Sequence, residues 1–106
     1  MRIIHLKLLE LPPEDFSGLA ILHSGTKIYY KDGHDHREDG PAIEYYDGSV
    51  EYRINGITHR IGGPAYIHNE GNIQVYQYII DGKDVTKEQH DLLFDLLKLR
   101  NLLDGK

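Results

Sequence analysis

The sequence predicts a β-rich α+β chain, an antiparallel β-hairpin repeat meander followed by a C-terminal capping α-helix. Three observations predict it. A heptapeptide recurs at an offset of 23 residues, as His36-Arg37-Glu38-Asp39-Gly40-Pro41-Ala42 and His59-Arg60-Ile61-Gly62-Gly63-Pro64-Ala65. Turn dipeptides flank both copies: Asp32-Gly33 and Asn55-Gly56 before them, Asp47-Gly48 and Glu70-Gly71 after them. After residue 86 the pattern changes to leucines at helical spacing. The 106 residues hold one domain. Its parts are an N-terminal strand or extended segment (1–17), three hairpin repeats of about 23 residues (18–85) and an amphipathic helix (86–103).

Residues 3–11 are apolar but interrupted by His5, Lys7 and Glu10. The run is too short to span a bilayer and lacks the small-residue cleavage site of a signal peptide. Pro12-Pro13 ends it, because proline cannot donate to a strand ladder. A cytoplasmic protein without a membrane segment is expected.

In the repeats, Asp-Gly and Asn-Gly favour two-residue hairpin turns, since both central positions need positive φ. A third, degraded copy starts at Gly18-Leu19-Ala20 and turns at Ser24-Gly25. Aligned back from Gly33, Gly56 and Gly82, Tyr29, Tyr52 and Tyr78 share a column, and Ala20, Ala42 and Ala65 share another. The last unit carries extra residues, so a bulge or longer strand pair is expected there. Strands are predicted over 26–31, 42–46, 49–54, 65–68 and 72–80 from β-branched and aromatic content. Val50, Tyr52 and Ile54 alternate with Glu51 and Arg53, which predicts one buried and one wet face.

Thr86-Lys87-Glu88-Gln89 reads as a capping box that opens the helix. Leu92, Leu96, Leu99 and Leu103 then form a stripe that Leu93 and Leu97 widen and Phe94 falls outside. Such a stripe packs across the sheet and closes the end of the array, as terminal repeat units require. The alternative is an interface with a partner or a second copy.

Composition excludes several classes of function. With no Cys there is no disulfide staple, thiolate nucleophile or Cys-rich zinc module. A net charge of −5 argues against duplex nucleic acid as partner. The sequence has neither a glycine-rich phosphate loop opening a helix nor a Gly-x-Ser-x-Gly elbow. The adjacent pairs Glu14-Asp15 and Glu38-Asp39 point apart in a strand, so no enzyme activity is expected. No cofactor is expected either.

Tyr52-Arg53-Ile54-Asn55-Gly56-Ile57-Thr58-His59 and the following Gly62-Gly63 resemble MORN-type hairpin repeats. The His-Arg-x-x-Gly-Pro-Ala motif resembles a repeat of short phage and bacterial proteins. The resemblance covers about residues 18–85. It departs from the MORN pattern, because His36-Arg37-Glu38-Asp39-Gly40 and His59-Arg60-Ile61-Gly62-Gly63 stand where His-Gly-x-Gly is typical. It implies a hairpin-repeat scaffold, whose ligands vary from case to case. Through the phage resemblance it implies a phage-encoded accessory protein in the host cytoplasm, inhibiting a host defence complex in the anti-CRISPR manner.

Two chemical readings compete at His36-Arg37 and His59-Arg60. In one, the guanidinium and imidazole groups form a ladder that binds an anion or nucleotide. In the other, each pair bonds turn carbonyls or neighbouring acids and only stacks the hairpins. His34-x-His36 with His59 or His68 is a weak metal pattern, and no metal site is assigned. Tyr29, Tyr52 and Tyr78, with Leu92, Leu96, Leu99 and Leu103, are candidate residues of a protein interface. Acidic residues at 32, 35, 38, 39, 44, 47 and 51 would suit a basic partner surface. The expected partner is a protein of host or phage, with a homodimer through the helix as a further possibility.

Overall fold

The computed structural model describes residues 1–103, with Leu102 and Leu103 described as backbone only, so the Leu103 side chain lies outside the described part. Among the described residues, eleven strands precede one helix. They are β1 (Ile3–His5), β2 (Gly18–Ile21), β3 (Lys27–Lys31), β4 (His34–Asp35), β5 (Ile43–Glu44), β6 (Val50–Glu51), β7 (Arg53–Ile54), β8 (Ile57–Thr58), β9 (Tyr66–Glu70), β10 (Ile73–Ile80), β11 (Lys83–Val85) and α1 (Lys87–Leu103). One large sheet runs in the order β1-β2-β3-β5-β6-β9-β10-β11, with β4 paired to β3 beside that path, and β7 and β8 form a separate ribbon.

The sheet is mixed, which corrects the expectation of an antiparallel arrangement throughout. β1 lies parallel to β2, with Ile3 opposite Leu19, while every other pair is antiparallel. A parallel return needs a connection of about a dozen residues, and residues 6–17 supply it. The predicted strand over 49–54 is divided at Tyr52. Its first half pairs with β5 and β9, and its second half pairs with β8.

Three short ribbons, β3–β4, β7–β8 and the end of β10 with β11, share one turn geometry. Asp32-Gly33, Asn55-Gly56 and Asp81-Gly82 have φ values of 50° and 82°, 50° and 79°, and 51° and 76°. Positive φ at both central residues matches the twist of a hairpin. At Gly33 the requirement is also steric, since a Cβ there would lie 2.0 Å from the Glu14 carbonyl oxygen.

The molecule is flat, with principal extents of 49 × 36 × 19 Å. Its radius of gyration of 15.8 Å exceeds the value of about 13 Å expected for a compact chain of this length. The core is correspondingly thin: Phe16, Leu19 and Ile43 with the fully covered Ala20, Ala42 and Ala65. The alanine column is fully covered, so a larger side chain there would overpack it.

The helix reverses one expectation. Leu92, Leu96 and Leu99 are 63, 54 and 53 % exposed, whereas His90 is 2 % exposed and Leu93, Phe94 and Leu97 are half-buried. The face turned inward is therefore His90, Leu93, Phe94 and Leu97, and Phe94 belongs to it. The leucine stripe does not close the sheet. The Tyr78 ring determines the rotation by packing on His90, with centroids 5.0 Å apart, and His90 in turn packs on Phe94 at 6.1 Å. The predicted capping box is present: the Gln89 amide donates to Thr86 Oγ1 at 3.0 Å, and the Thr86 amide donates to Gln89 Oε1 at 2.9 Å.

Candidate functional site

The recurring heptapeptide can be read atom by atom. Arg37 lies over the Tyr29 ring with its Cζ 4.1 Å from the centroid, and Arg60 lies over Tyr52 at 4.0 Å. Each guanidinium also donates to the carbonyl of the proline four residues on, Pro41 or Pro64, at 3.2 Å. The glycine before that proline leaves room for the folded-back arginine. A Cβ on Gly40 would come within 3.0 Å of Arg37 Cζ, and one on Gly63 within 2.7 Å of an Arg60 nitrogen. The alanine after the proline is buried, and its carbonyl accepts from the amide of Tyr29 (2.8 Å, Ala42) or Tyr52 (2.7 Å, Ala65).

The histidines satisfy the next turn. Nδ1 of His36 accepts from the Asn55 amide at 3.0 Å, and Nδ1 of His59 accepts from the Asp81 amide at 2.9 Å. The second amide of each turn is bonded as well, Gly56 to the Asp35 carbonyl and Gly82 to the Thr58 carbonyl. The first turn finds equivalent partners without a histidine: the Asp32 amide donates to Ser17 Oγ and the Gly33 amide to the Phe16 carbonyl. At the other end, the helix residue His90 lies against Tyr78 and accepts from the Gly62 amide at 3.0 Å. Ser17 thus takes the histidine's place at one end, and His90 the arginine's place over tyrosine at the other.

A second column was not singled out by the sequence. Thr26 and Ser49, 6 and 3 % exposed, accept through their hydroxyls from the amides of Tyr46 (3.2 Å) and Asn69 (2.9 Å). Hydroxyl residues at an offset of 23, each just after a turn glycine, were the signal available.

The alternation reading fails at Glu51. It was expected on a wet face with Arg53, yet it is 6 % exposed. The carboxylate accepts from Tyr45 Oη at 3.0 Å, from Thr58 Oγ1 at 2.8 Å and from Arg53 Nε. Arg53 bridges on to Asp35 at 3.3 Å and donates to the Gly56 carbonyl at 3.2 Å. Burial becomes tolerable because donors replace water around the charge. Burial, together with the charge and hydrogen bond of Glu51, pushes the Tyr45 hydroxyl up to about 12.

Two open cavities flank Arg37. The first, of about 520 Å³, is bounded by Arg2, Tyr29, Tyr30, Lys31, His36, Arg37 and Asp39. The second, of about 430 Å³, lies between the two motif copies, against Glu38, Asp39, Tyr52, Ile54, His59 and Arg60. His36-Arg37 and His59-Arg60 are in register, but each guanidinium is already engaged by a tyrosine and a carbonyl, and Arg37 by the Asp39 carboxylate at 3.0 Å as well. The Tyr29, Tyr52 and Tyr78 rings are half-buried beneath Arg37, Arg60 and His90, and the tyrosines that extend into solvent are Tyr46 and Tyr76. Among the described residues, no group of three or more His, Asp or Glu is placed to hold a metal ion. Nor, among those residues, is any helix long and apolar enough to cross a membrane. No protein-family model matches the chain, and no curated protein or solved structure matches it.

Proposed function

We propose that the protein is a non-enzymatic protein-binding module, built as a MORN-like hairpin-repeat meander within its mixed sheet, with the helix as its binding element. The observation that carries the reading is the leucine face of α1. Leu92, Leu96 and Leu99 are each more than half exposed and follow one another at helical spacing. An apolar stripe left in water is the form in which a helix meets a groove on another protein. The two-ended bonding of the later turns supports the repeat reading, because the second and third ribbons are each held by the one before.

The likeness of His-Arg-x-x-Gly-Pro-Ala to short phage proteins extends the proposal to a role. The chain is then a phage-encoded accessory protein acting in the host cytoplasm, an inhibitor of a host defence complex of the anti-CRISPR kind. Its exposed acids Glu38, Asp39 and Asp47 would face a basic surface on the target.

The test is affinity capture from bacterial lysate with immobilised wild-type protein and the Leu96→Glu variant, accompanied by light scattering of the purified chain. A polypeptide retained by the wild type and lost from the variant is expected. Retention of nothing, or equal retention by both, refutes the reading. A dimer that Leu96→Glu dissociates would make the partner a second copy.

A further inference from the structure

We infer that the cavity bounded by Arg2, Lys31, Arg37 and His36 is a binding site for a small organic phosphate of the phosphomonoester class. The two cavities occupy equivalent places relative to the motif, so the second is an internal control for the first. Tyr29, His36 and Arg37 in one correspond to Tyr52, His59 and Arg60 in the other. The differences are electrostatic. Lys31 stands where the second copy has Ile54, and Arg2 enters from the segment before β1. The first cavity is lined by three cationic side chains and one carboxylate, Asp39, which pairs with Arg37 at 3.0 Å, so Arg2 and Lys31 are the cations in excess; the second has two cations against the two carboxylates Glu38 and Asp39.

This concentration of positive charge occurs in a protein of net charge −5. Among the described residues, neither Arg2 nor Lys31 has an ion-pair partner. Arg2 instead lies 5.3 Å from the Phe16 ring centroid, which holds its guanidinium beside the cavity. His36 also lines the cavity. Its Nδ1 accepts the Asn55 amide, so the ring proton is on Nε2. That nitrogen is buried and has no hydrogen-bond partner; the nearest carboxylate oxygen, on Glu38, is 3.5 Å away. A buried donor without an acceptor is costly, and this one belongs to a ring in the cavity lining.

The size of the cavity points beyond bare phosphate. About 520 Å³ is within the range of sites that take whole small molecules, and the Tyr30 ring supplies an apolar wall. An organic group would lie against that wall while the phosphate meets Arg2 and Lys31. None of these residues belongs to the leucine face of the helix, so the site is separate from the protein-binding surface proposed above.

The experiment is thermal unfolding of the full chain, followed by circular dichroism, with adenosine 5′-monophosphate, phenyl phosphate, inorganic phosphate, adenosine, or sodium chloride at matched ionic strength. The expected result is a rise in Tm with one or both organic monophosphates, a smaller rise with inorganic phosphate, and no change with adenosine or chloride. The more effective monophosphate identifies the organic group. Lys31→Ile installs the residue of the second copy, so it should fold normally and weaken binding about tenfold, the effect of one charge-assisted hydrogen bond. Arg2→Gln should act alike and decides the matter if Lys31→Ile lowers the unliganded Tm. The inference is overturned if no phosphate shifts Tm, if chloride shifts it equally, or if binding survives the deciding variant undiminished.

Discussion

Replacing Gly63 by alanine tests whether the heptapeptide is a unit held together by its arginine. Gly63 has no positive φ, so the backbone itself accepts alanine, and alanine at a compatible site stabilises by about 0.4–1 kcal/mol through the unfolded chain. The obstacle is the Arg60 guanidinium, whose atoms would lie 2.7 and 2.8 Å from the new Cβ. Because that group is the end of a flexible side chain, it can move aside. Moving forfeits the stack on Tyr52, worth about 0.5–1 kcal/mol at a partly exposed site, and the bond to the Pro64 carbonyl, worth roughly 1.5 kcal/mol for a charged donor. Gly63→Ala should therefore destabilise the protein by about 1–2 kcal/mol. In an Arg60→Ala background there is nothing to displace, and the same change should be neutral or stabilising. Urea denaturation of the four proteins, followed by circular dichroism, gives the coupling energy directly. Equal costs of Gly63→Ala in both backgrounds would show that the glycine serves something other than the arginine.

Other perturbations probe other parts of the fold. Glu51→Ala leaves Arg53, Tyr45 and Thr58 without their common acceptor and should cost about 3 kcal/mol in urea unfolding, with Glu51→Gln milder. Phe94→Ala should cost about 2 kcal/mol by losing contacts beneath the helix, while Leu96→Glu should change stability by less than about 0.5 kcal/mol; the reverse order would invert the assignment of helix faces. Thr86→Ala removes the acceptor for the Gln89 amide and should cost about 1 kcal/mol, visible as a lower Tm. The Tyr45 hydroxyl is raised in the folded state to about 12 from 10.0, so the unfolded chain loses that proton first as pH rises. Its contribution is complete below pH 10 and is lost towards pH 12; Tm measured across that window should fall, and less steeply in Tyr45→Phe.

The turns and the motif were legible because each is local. Asp-Gly and Asn-Gly encode positive φ within two residues, and Gly40 and Gly63 lie near the arginines that need them. The helix start was legible for the same reason, its capping box being four consecutive residues. The helix rotation was not, because it depends on His90 meeting Tyr78 and the Gly62 amide, contacts between distant parts of the chain. Leucine spacing alone favoured the face that contains no His90, and a histidine buried by an aromatic ring and a backbone amide outweighed that pattern. Glu51 was misplaced similarly. Alternation assigns a face from residue type, but Tyr45, just past β5, and Thr58 on β8, six and seven residues away, provide the donors that make the carboxylate acceptable inside.

The two ends of the molecule extend this point to function. A stacked unit leaves its first turn amides and its last tyrosine without partners, and other residues must complete them. Ser17 and His90 do so, one from the loop before β2 and the other from α1. Residues recruited as substitutes are freed from the internal pattern, and their surroundings can vary without breaking the stack. Lys31 in place of isoleucine, Arg2 beside Phe16 and the uncovered leucines of α1 all occur in those end regions. The second copy, by contrast, uses His59 and Arg60 on its own neighbours. In a chain whose most conspicuous motif is consumed by stacking, binding chemistry is to be sought where the motif stops.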